Sequence, residues 1–319
     1  MSDITSIRRV TVIGTGVIGA SWASLFLAKG MEVVATDPAP NAETSLRAFV
    51  TDAWPSLRRL GLSESASPER LRFTPDLGEA LSDTDFVQEN GPERLEFKQK
   101  LYAQIDSQLP PEVIVASSSS GLPMSEIQKG AIAHPDRCII GHPFNPPHLI
   151  PLVEIVAGKL TSPQTIERAE AFYTALGKKT VRLHKELHGH VANRLQAALA
   201  REVYYLVAEG VVSAADVDTA LSWGPGLRWG LMGNMMLNHL GGGQGGIEHF
   251  FQQFASSFAT TWNSLGKPEL NRETQKLLID GVHQEVGDRT IGELEKERDD
   301  LLLGLLALRS GRDGATDQR

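Results

Sequence analysis

Short apolar runs alternate with amphipathic stretches through the first half of the chain. The runs are four or five residues long and rich in Val and Ile, as buried strands are: Val10–Ile13, Glu32–Thr36, Phe86–Glu89, Val113–Ala116, Cys138–Gly141 and Leu152–Val156. The stretches between them predict helices at Ala20–Ala28, Asn41–Leu60, Leu77–Leu81 and Glu93–Gln108. Strands that alternate with helices indicate the α/β class, with a parallel sheet covered by helices on both faces.

The pattern changes in the last part of the chain, where nothing predicts a strand. Helices are predicted at Val191–Glu209, from Ser213 onward, at Glu269–Gly281 and at Thr290–Leu308. Ser213 is a suitable N-cap, and Thr290 with Glu293 forms the pattern of a capping box. We therefore expect a doubly wound α/β domain over residues 1–187, followed by an all-α domain over residues 188–319.

The composition argues against several classes of function. The chain has 319 residues and a formal net charge of −8, so neither nucleic acid nor an acidic membrane surface is an expected partner. The single cysteine, Cys138, stands in an apolar run, which predicts a buried, unreactive thiol and excludes an internal disulfide. The first ten residues contain no apolar signal core, and no apolar run is long enough for a membrane span. We expect a cytoplasmic protein without a membrane partner.

Three glycines with the spacing G-x-G-x-x-G follow the first predicted strand. Gly14 allows a tight turn, Gly16 leaves room for a pyrophosphate beside the backbone, and Gly19 lets helix and strand pack closely. The backbone N–H groups of the next turn, around Val17 and Ile18, face the phosphate charge. In this context of strand, turn and helix, the pattern predicts a Rossmann-type dinucleotide site and not a βαβ unit without a ligand.

An acidic residue follows the second predicted strand. Asp37 lies eighteen residues after Gly19, where a carboxylate binds the ribose 2′-hydroxyl in sites of this kind. The same carboxylate repels a 2′-phosphate, and Arg8 and Arg9 precede the first strand, where they are poorly placed to compensate. The sequence therefore predicts NAD and not NADP as the cofactor. We expect no metal.

A histidine stands directly after a buried strand, in the proline-rich segment GHPFNPP. Glu154 follows His142 by twelve residues inside another apolar run. Because a buried carboxylate without a partner is costly, we expect the two side chains to pair. Such a pair fixes the tautomer of the imidazole and raises its pKa, so that it can take a proton from a hydroxyl. The spacing alone also fits a core histidine that is satisfied by a structural glutamate.

Several motifs in order resemble the 3-hydroxyacyl-CoA dehydrogenase family, from Val10 to about Leu308. The matching residues are Ser120, His142, Asn145, Glu154 and Asn193, in the segments SSSS, HPFN, PLVEIV and VANRL. Glu93 and Lys98, in PERLEFK, resemble the residues on the nicotinamide side of the family's cofactor site. The resemblance implies the NAD-dependent oxidation of an L-3-hydroxy acid to a 3-keto acid, and a homodimer formed through the helical, substrate-binding domain.

The resemblance also implies a role for each matching residue. His142 is the base, and Glu154 orients its imidazole and stabilises the cation. Ser120 and Asn193 donate hydrogen bonds to the substrate oxygen, and Asn145 holds either His142 or the substrate.

The segment Gly224–Trp229, with the sequence GPGLRW, resembles the branch of the family that acts on free hydroxy acids. Arg228 could bind a free carboxylate with two hydrogen bonds, whereas a thioester carries no such charge. Alternatively, Arg228 caps a helix or pairs with an acidic residue. The predicted helix Asn41–Leu60 contains no lysine for the phosphates of CoA, which weakens the case for a CoA ester.

The substrate that we expect is a small free acid such as L-carnitine or a related 3-hydroxy acid. The alternatives are 3-hydroxybutyryl-CoA, L-gulonate, and a non-catalytic, crystallin-like role in NAD binding. Aromatic side chains that could enclose a trimethylammonium group are Phe144, Trp223, Trp229, Phe250 and Phe251, although each also fits a core position. Polar residues that could bind a sugar acid are Asn234, Asn238, His239 and Gln244. The glycine-rich segment Gly241–Gly246 does not follow a strand, so we expect a turn between helices there.

Overall fold

The computed structural model describes residues 7–316, with side chains to residue 311. Part of the N-terminal segment in which no signal core is expected therefore lies outside the described residues. The chain divides into two compact units, Met1–Arg194 and Leu195–Arg319. We call them the first and the second unit.

The first unit contains all the strands of the described chain. They are β1 (Arg9–Ile13), β2 (Glu32–Thr36), β3 (Leu71–Phe73), β4 (Phe86–Glu89), β5 (Ile114–Ser117), β6 (Cys138–Pro143), β7 (Leu152–Ala157) and β8 (Lys179–Leu183). The helices of this unit are α1 (Val17–Ala28), α2 (Ala42–Leu60), α3 (Leu77–Leu81), α4 (Leu95–Asp106), α5 (Met124–Ile127) and α6 (Pro163–Ala175). The alternation of strands and helices is as the sequence predicts.

The strands form one sheet in the order β3-β2-β1-β4-β5-β6-β7-β8. The order reverses beside β1, between β2 and β4, and such a reversal is where doubly wound sheets bind ligands. Strands β1 to β6 are parallel, as expected, but β7 runs antiparallel to β6, and β8 is parallel to β7. Residues 144–151 alone connect β6 to β7. This loop is shorter than the dozen or so residues that a parallel crossover needs, so the strand turns back on its neighbour.

Apolar side chains fill both sides of the sheet. On one side, α1 and α6 bring together an aromatic cluster in which the rings of Phe86 and Phe172 stack at 4.1 Å and Trp22 stacks on Phe26 at 5.4 Å. The other side is covered by α4 and α5. Cys138 is buried there, as the sequence predicts, and burial raises the pKa of its thiol to about 12.

The described residues of the second unit form helices joined by loops, without a strand. Its helices are α7 (Ala192–Ala208), which begins in the first unit, α8 (Ala214–Trp223), α9 (Pro225–Trp229), α10 (Asn234–Gly241), α11 (Gly246–Ser264), α12 (Arg272–Val286) and α13 (Ile291–Thr316). The predicted N-cap is present, because Ser213 accepts a hydrogen bond from the N–H of Asp216. The capping box is present too, with Thr290 and Glu293 bonded in both directions. No helix in the described part of the chain is both long enough and apolar enough to cross a membrane.

Candidate active site

The glycine-rich turn connects β1 to α1 at the reversal of the sheet. Gly14 has a φ of +82°, and a Cβ atom there would lie 2.8 Å from the carbonyl oxygen of Asn90. A Cβ atom at Gly19 would lie 1.9 Å from the carbonyl oxygen of Gly14. At Gly16, by contrast, a Cβ atom would meet nothing within 4 Å. Packing therefore explains Gly14 and Gly19, whereas the open space at Gly16 fits a ligand.

The start of α1 is free to bind an anion. Gly16 is its N-cap, no side chain caps the helix, and its first turn contains no acidic residue. Val17 is exposed and Ile18 is half-buried, and both stand beside the open space at Gly16. Uncapped N–H groups at a helix start are a common binding site for phosphate.

Asp37 lies at the end of β2, beside the same turn. Its Oδ2 atom accepts hydrogen bonds from the backbone N–H of Thr15 at 2.8 Å and from the Thr15 hydroxyl at 3.2 Å. Its Oδ1 atom accepts one from the N–H of Ala39 at 2.9 Å. The carboxylate is thus held against the glycine turn and keeps lone pairs for a ribose hydroxyl. Together with the free N–H groups of α1, this arrangement fits a dinucleotide.

Glu93 fixes the loop of serines that follows β5. Its Oε1 atom accepts hydrogen bonds from the Ser119 hydroxyl at 2.7 Å and from the N–H groups of Gly121 at 2.8 Å and Ser120 at 3.0 Å. Burial by itself would raise the pKa of Glu93, but the bonds from Ser119 and Gly121, together with the charge of Lys98, lower it. An ionised carboxylate therefore holds Ser120, which is half-buried, in place.

Lys98 is buried in an ion pair. Its Nζ atom lies 2.7 and 2.9 Å from the two carboxylate oxygens of Glu89, at the end of β4, and 3.2 Å from the carbonyl oxygen of Gly91. A distance of 3.9 Å separates it from Glu93 Oε2. Because only 1% of its side chain is exposed, Lys98 can act on a bound cofactor only through these partners.

His142 and Glu154 lie directly opposite each other on the antiparallel strands β6 and β7. The Nδ1 atom of His142 is 2.9 Å from Oε2 of Glu154, and both side chains are buried. The other carboxylate oxygen, Oε1, accepts hydrogen bonds from the N–H groups of Val191 at 2.8 Å and Ala192 at 3.0 Å, where α7 begins. The structure thus brings together the pair that the sequence predicts.

The protonation of this pair follows from its contacts. Burial would raise the pKa of Glu154, but the bond from His142 and the two backbone N–H groups lower it, so the carboxylate is ionised. A carboxylate only accepts hydrogen bonds, so Nδ1 of His142 carries a hydrogen, and in the neutral ring Nε2 keeps its lone pair. This tautomer is the one that a general base needs.

The remaining predicted residues lie on different elements. Asn145 is exposed in the loop after β6, and Asn193 is half-buried in the first turn of α7, directly after Ala192. Arg228 is in the second unit, on α9, where its side chain is exposed and no described carboxylate pairs with it. Among the aromatic candidates, Trp223 and Trp229 are exposed as well, whereas Phe250 is buried.

Two buried residues near the site were not expected from the sequence. The Nζ atom of Lys178 donates hydrogen bonds to the carbonyl oxygens of Pro147 and Ile150, and thereby holds the loop that carries Asn145. Burial lowers the pKa of Lys178 to about 7. His190, just before α7, lies with its ring 4.9 Å from the ring of His142. The only signal for His190 in the sequence is its place three residues before Asn193.

The fold and this site define an NAD-dependent dehydrogenase: a doubly wound domain with a dinucleotide-binding turn, a buried histidine–carboxylate pair and a helical C-terminal region. Residues 9–187 match the family description "3-hydroxyacyl-CoA dehydrogenase, NAD binding domain", and residues 189–280 match "3-hydroxyacyl-CoA dehydrogenase, C-terminal domain". The chain belongs to the 3-hydroxyacyl-CoA dehydrogenase family.

Similar proteins cover nearly the whole chain. L-carnitine dehydrogenase of a Pseudomonas species is 45% identical over 306 residues, which are 96% of this chain and 95% of that protein. L-carnitine dehydrogenase of Streptomyces coelicolor is 46% identical and covers 94% of both chains. Among solved structures, an NAD⁺-dependent 5-formyl-3-hydroxy-2-methylpyridine 4-carboxylic acid 5-dehydrogenase has a TM-score of 0.81 at 30% identity, covering 96% of this chain and 99% of its own. Escherichia coli 3-hydroxybutyryl-CoA dehydrogenase has a TM-score of 0.65 at 29% identity, covering 86% and 57%.

Proposed function

We propose that the protein oxidises the hydroxyl group of a small free L-3-hydroxy acid to a ketone, and that L-carnitine is its substrate. The observation that carries this proposal is the 45% identity to an L-carnitine dehydrogenase over 96% of the chain. The buried His142–Glu154 pair supplies the base that such an oxidation needs. NAD, when bound, supplies the acceptor for the hydride.

His142 removes the hydroxyl proton in this proposal. The lone pair on Nε2 takes the proton, and the imidazole becomes a cation. Glu154 stabilises that cation through its bond to Nδ1, while the N–H groups of Val191 and Ala192 keep the carboxylate in place. The base is therefore oriented before the substrate arrives, which lowers the cost of reaching the reactive arrangement.

Ser120 and Asn193 are the proposed hydrogen-bond donors to the substrate oxygen, where negative charge develops. Glu93 holds Ser120 through its backbone N–H, and Asn193 follows the two residues whose N–H groups bind Glu154. Both proposed donors are thus fixed by the carboxylates that order the rest of the site. Asn145, on the loop after β6, is the third polar residue that we assign to substrate or base positioning.

The two domains have different roles in this proposal. Residues 1–187 bind NAD. The pyrophosphate lies at the turn and helix start, the ribose at Asp37 and the nicotinamide near Glu93. The ammonium of Lys98 lies 3.9 Å from Glu93 and helps to hold that carboxylate. The cofactor residues in the turn and helix start are Gly14, Gly16, Val17, Ile18 and Gly19. Residues 188–319 bind the substrate and form a homodimer.

The segment around Arg228 suits a zwitterionic substrate. The exposed guanidinium can bind a carboxylate, and the exposed faces of Trp223 and Trp229 can attract a quaternary ammonium group. A CoA ester lacks both of these small charged groups next to its hydroxyl. This difference in chemistry also supports a free acid.

A substrate panel tests the proposal. NADH formation would be measured with L-carnitine, L-gulonate, L-3-hydroxybutyrate and 3-hydroxybutyryl-CoA, each with NAD. We expect L-carnitine to give the highest kcat/KM. Turnover of the CoA ester alone would refute the free-acid assignment, and NAD binding without any turnover would favour a non-catalytic protein.

The base is tested with His142→Ala. We expect kcat to fall by about 100- to 10,000-fold, the range for loss of a general base, with NAD binding unchanged. His283→Ala, which removes an exposed histidine from α12, is the matched control and should behave as the wild type. Near-normal turnover by the His142 variant would eliminate the mechanism.

A further inference from the structure

His190 occupies an unusual position for a histidine. It is 3% exposed, and its backbone has a φ of +47°, in the left-handed region that residues other than glycine seldom adopt. Its backbone N–H donates to the carbonyl oxygen of Leu187, so the strained residue ends a tight turn just before α7. Both the burial and the conformation cost free energy, and such costs are concentrated at functional sites.

The contacts of the ring define its protonation. The Nε2 atom lies 3.0 Å from the carbonyl oxygen of Ser119, which can only accept, so Nε2 carries the hydrogen. The Nδ1 atom is buried and has no hydrogen-bond partner in the described structure. Burial lowers the pKa of His190, and a positive charge on His142 would lower it further, while the bond to Ser119 acts in the opposite direction. The ring is neutral.

His190 also contacts both the serine loop and the ring of His142. Through its side chain it holds Ser119, the neighbour of the proposed donor Ser120. The next two residues, Val191 and Ala192, hold Glu154 through their N–H groups, and Glu154 holds His142. The ring of His190 packs directly against the ring of His142, at 4.9 Å between centroids.

We propose that His190 is a positioning residue that fixes the distance between the serine loop, Ser118–Ser120, and the base His142. The proposal rests on the assignment of His142 as the base. In this arrangement the hydrogen bond from Nε2 to Ser119 holds the loop, and the neutral ring forms one wall of the space beside His142. When His142 becomes a cation, it faces a neutral ring and not a second positive charge.

Other charged groups approach His190 from three elements. His142 comes from β6, Glu154 from β7, and Glu93 from the segment after β4. The two carboxylates favour a positive charge on His190, whereas burial and His142 disfavour it. Since each carboxylate is already committed, Glu154 to His142 and Glu93 to the serine loop, neither bonds to the free Nδ1 atom.

The experiment compares His190→Gln with His190→Leu. Both side chains are unbranched at Cβ and meet the same backbone strain, but only Gln can place an N–H where Nε2 now lies. We expect His190→Leu to lower kcat by about 10- to 100-fold, the effect of misplacing reacting groups by a fraction of an ångström to an ångström. The Kd for NADH, followed by its fluorescence, should change less than about twofold, because the proposed pyrophosphate and ribose sites at the start of α1 and at Asp37 do not contact His190. His190→Gln should recover most of the lost kcat.

Two results would overturn the proposal: wild-type kcat in His190→Leu, or equal impairment of the Gln and Leu variants. If the Leu variant does not fold, His190→Asn replaces it, because Asn tolerates positive φ but is too short to reach Ser119. His142→Ala is measured in parallel. Turnover by that variant would remove the base assignment itself, whereas an inactive His142 variant beside a fully active His190→Leu would refute only the role of His190.

Discussion

Glu154 uses both of its carboxylate oxygens, and each use serves a different part of the molecule. Oε2 sets the tautomer of His142, and Oε1 caps the start of α7 through the N–H groups of Val191 and Ala192. A single buried charge therefore orients the base and anchors the helix that carries Asn193. Substitution at this position should affect catalysis and folding together.

Glu154→Gln tests this double role. The amide keeps the shape of the side chain, and the N–H groups of Val191 and Ala192 require its oxygen. The NH₂ group then faces His142 and cannot accept the hydrogen on Nδ1, so the ring is driven to the wrong tautomer. We expect kcat to fall by about 100-fold or more, as when the carboxylate partner of a catalytic histidine is replaced by an amide. Glu43→Gln, which affects only an exposed ion pair with Arg47, is the control and should leave kcat unchanged.

The stability of the same variant should depend on pH. The pKa of Glu154 is lower in the folded chain than the ordinary value of 4.5, so its ionised form stabilises the fold above pH 4.5. This contribution is lost as the pH falls through the folded pKa. The wild type should therefore exceed Glu154→Gln in free energy of unfolding just above pH 4.5, and by less at more acidic pH. Urea unfolding at several pH values measures the difference, and a difference that does not shrink in acid would contradict the prediction.

At the scale of single residues, the sequence predicts a contact where a charged residue stands in an apolar run and needs a partner. Glu154 in an apolar run required a partner, and His142 was the available one. His190 carried no such signal, because its burial and its bond to Ser119 depend on a turn that brings residues 71 positions apart together. Lys178 was missed for the same reason: its partners are backbone carbonyl groups, which every sequence contains.

At the scale of elements, the turn between β1 and α1 contains two kinds of glycine. Gly19 is required by packing, since a Cβ atom there would lie 1.9 Å from the carbonyl oxygen of Gly14. Gly16 is not, since a Cβ atom there would meet nothing within 4 Å. The fold therefore requires a glycine at position 19, whereas at position 16 only a bound ligand would require one.

Alanine at position 16 should affect NAD binding, whereas alanine at position 19 should affect stability. Gly16→Ala should fold with the wild-type Tm and lose NAD affinity by about 10-fold or more, because the methyl group enters the space of the pyrophosphate. Gly19→Ala should lower the Tm by several degrees, because helix and strand must move apart. Gly233→Ala, also without neighbours within 4 Å, is the control for adding a methyl group. Unchanged NAD affinity in Gly16→Ala, measured by calorimetry, would contradict the assigned cofactor position.

The apolar pattern predicts buried elements well and exposed ones poorly. The run Phe86–Glu89 is buried along its length, and the structure has a strand with the same limits. The strand Lys179–Leu183, with the sequence KTVRL, was not predicted, because it lies at the edge of the sheet and is largely exposed. The direction of β7 also could not be read from its own residues. It follows from the length of the loop before it.

At the scale of the whole molecule, the sequence indicates the reaction class more firmly than the substrate. The residues that we assign to NAD binding and proton transfer belong to ordered motifs, and their geometry is set by hydrogen bonds within the first unit. The residues that we assign to substrate recognition, Arg228, Trp223 and Trp229, are exposed in the second unit and have no such constraint. Their number and type suit a zwitterion, but only the substrate panel identifies it.

Helix α11 carries the feature that predicts the oligomeric state. Phe254, Phe258 and Trp262 follow one another at intervals of four residues, so they share one face of the helix, and they are 40%, 38% and 66% exposed. Their rings form a continuous aromatic stripe with Phe250, the buried residue at its start. An exposed apolar stripe of this kind is typical of a protein–protein interface, which supports the proposed homodimer.

Phe254→Glu combined with Trp262→Glu should separate the dimer. Light scattering after size exclusion should give twice the chain mass of 34.7 kDa for the wild type and a single chain mass for the double variant. The cause is the cost of burying two carboxylates in an apolar interface without partners. Gln253→Glu, which adds a charge at an exposed position of the same helix, is the control and should remain a dimer. A wild-type monomer at micromolar concentration would refute the dimer, whereas a double variant that stays dimeric would place the interface elsewhere on the molecule.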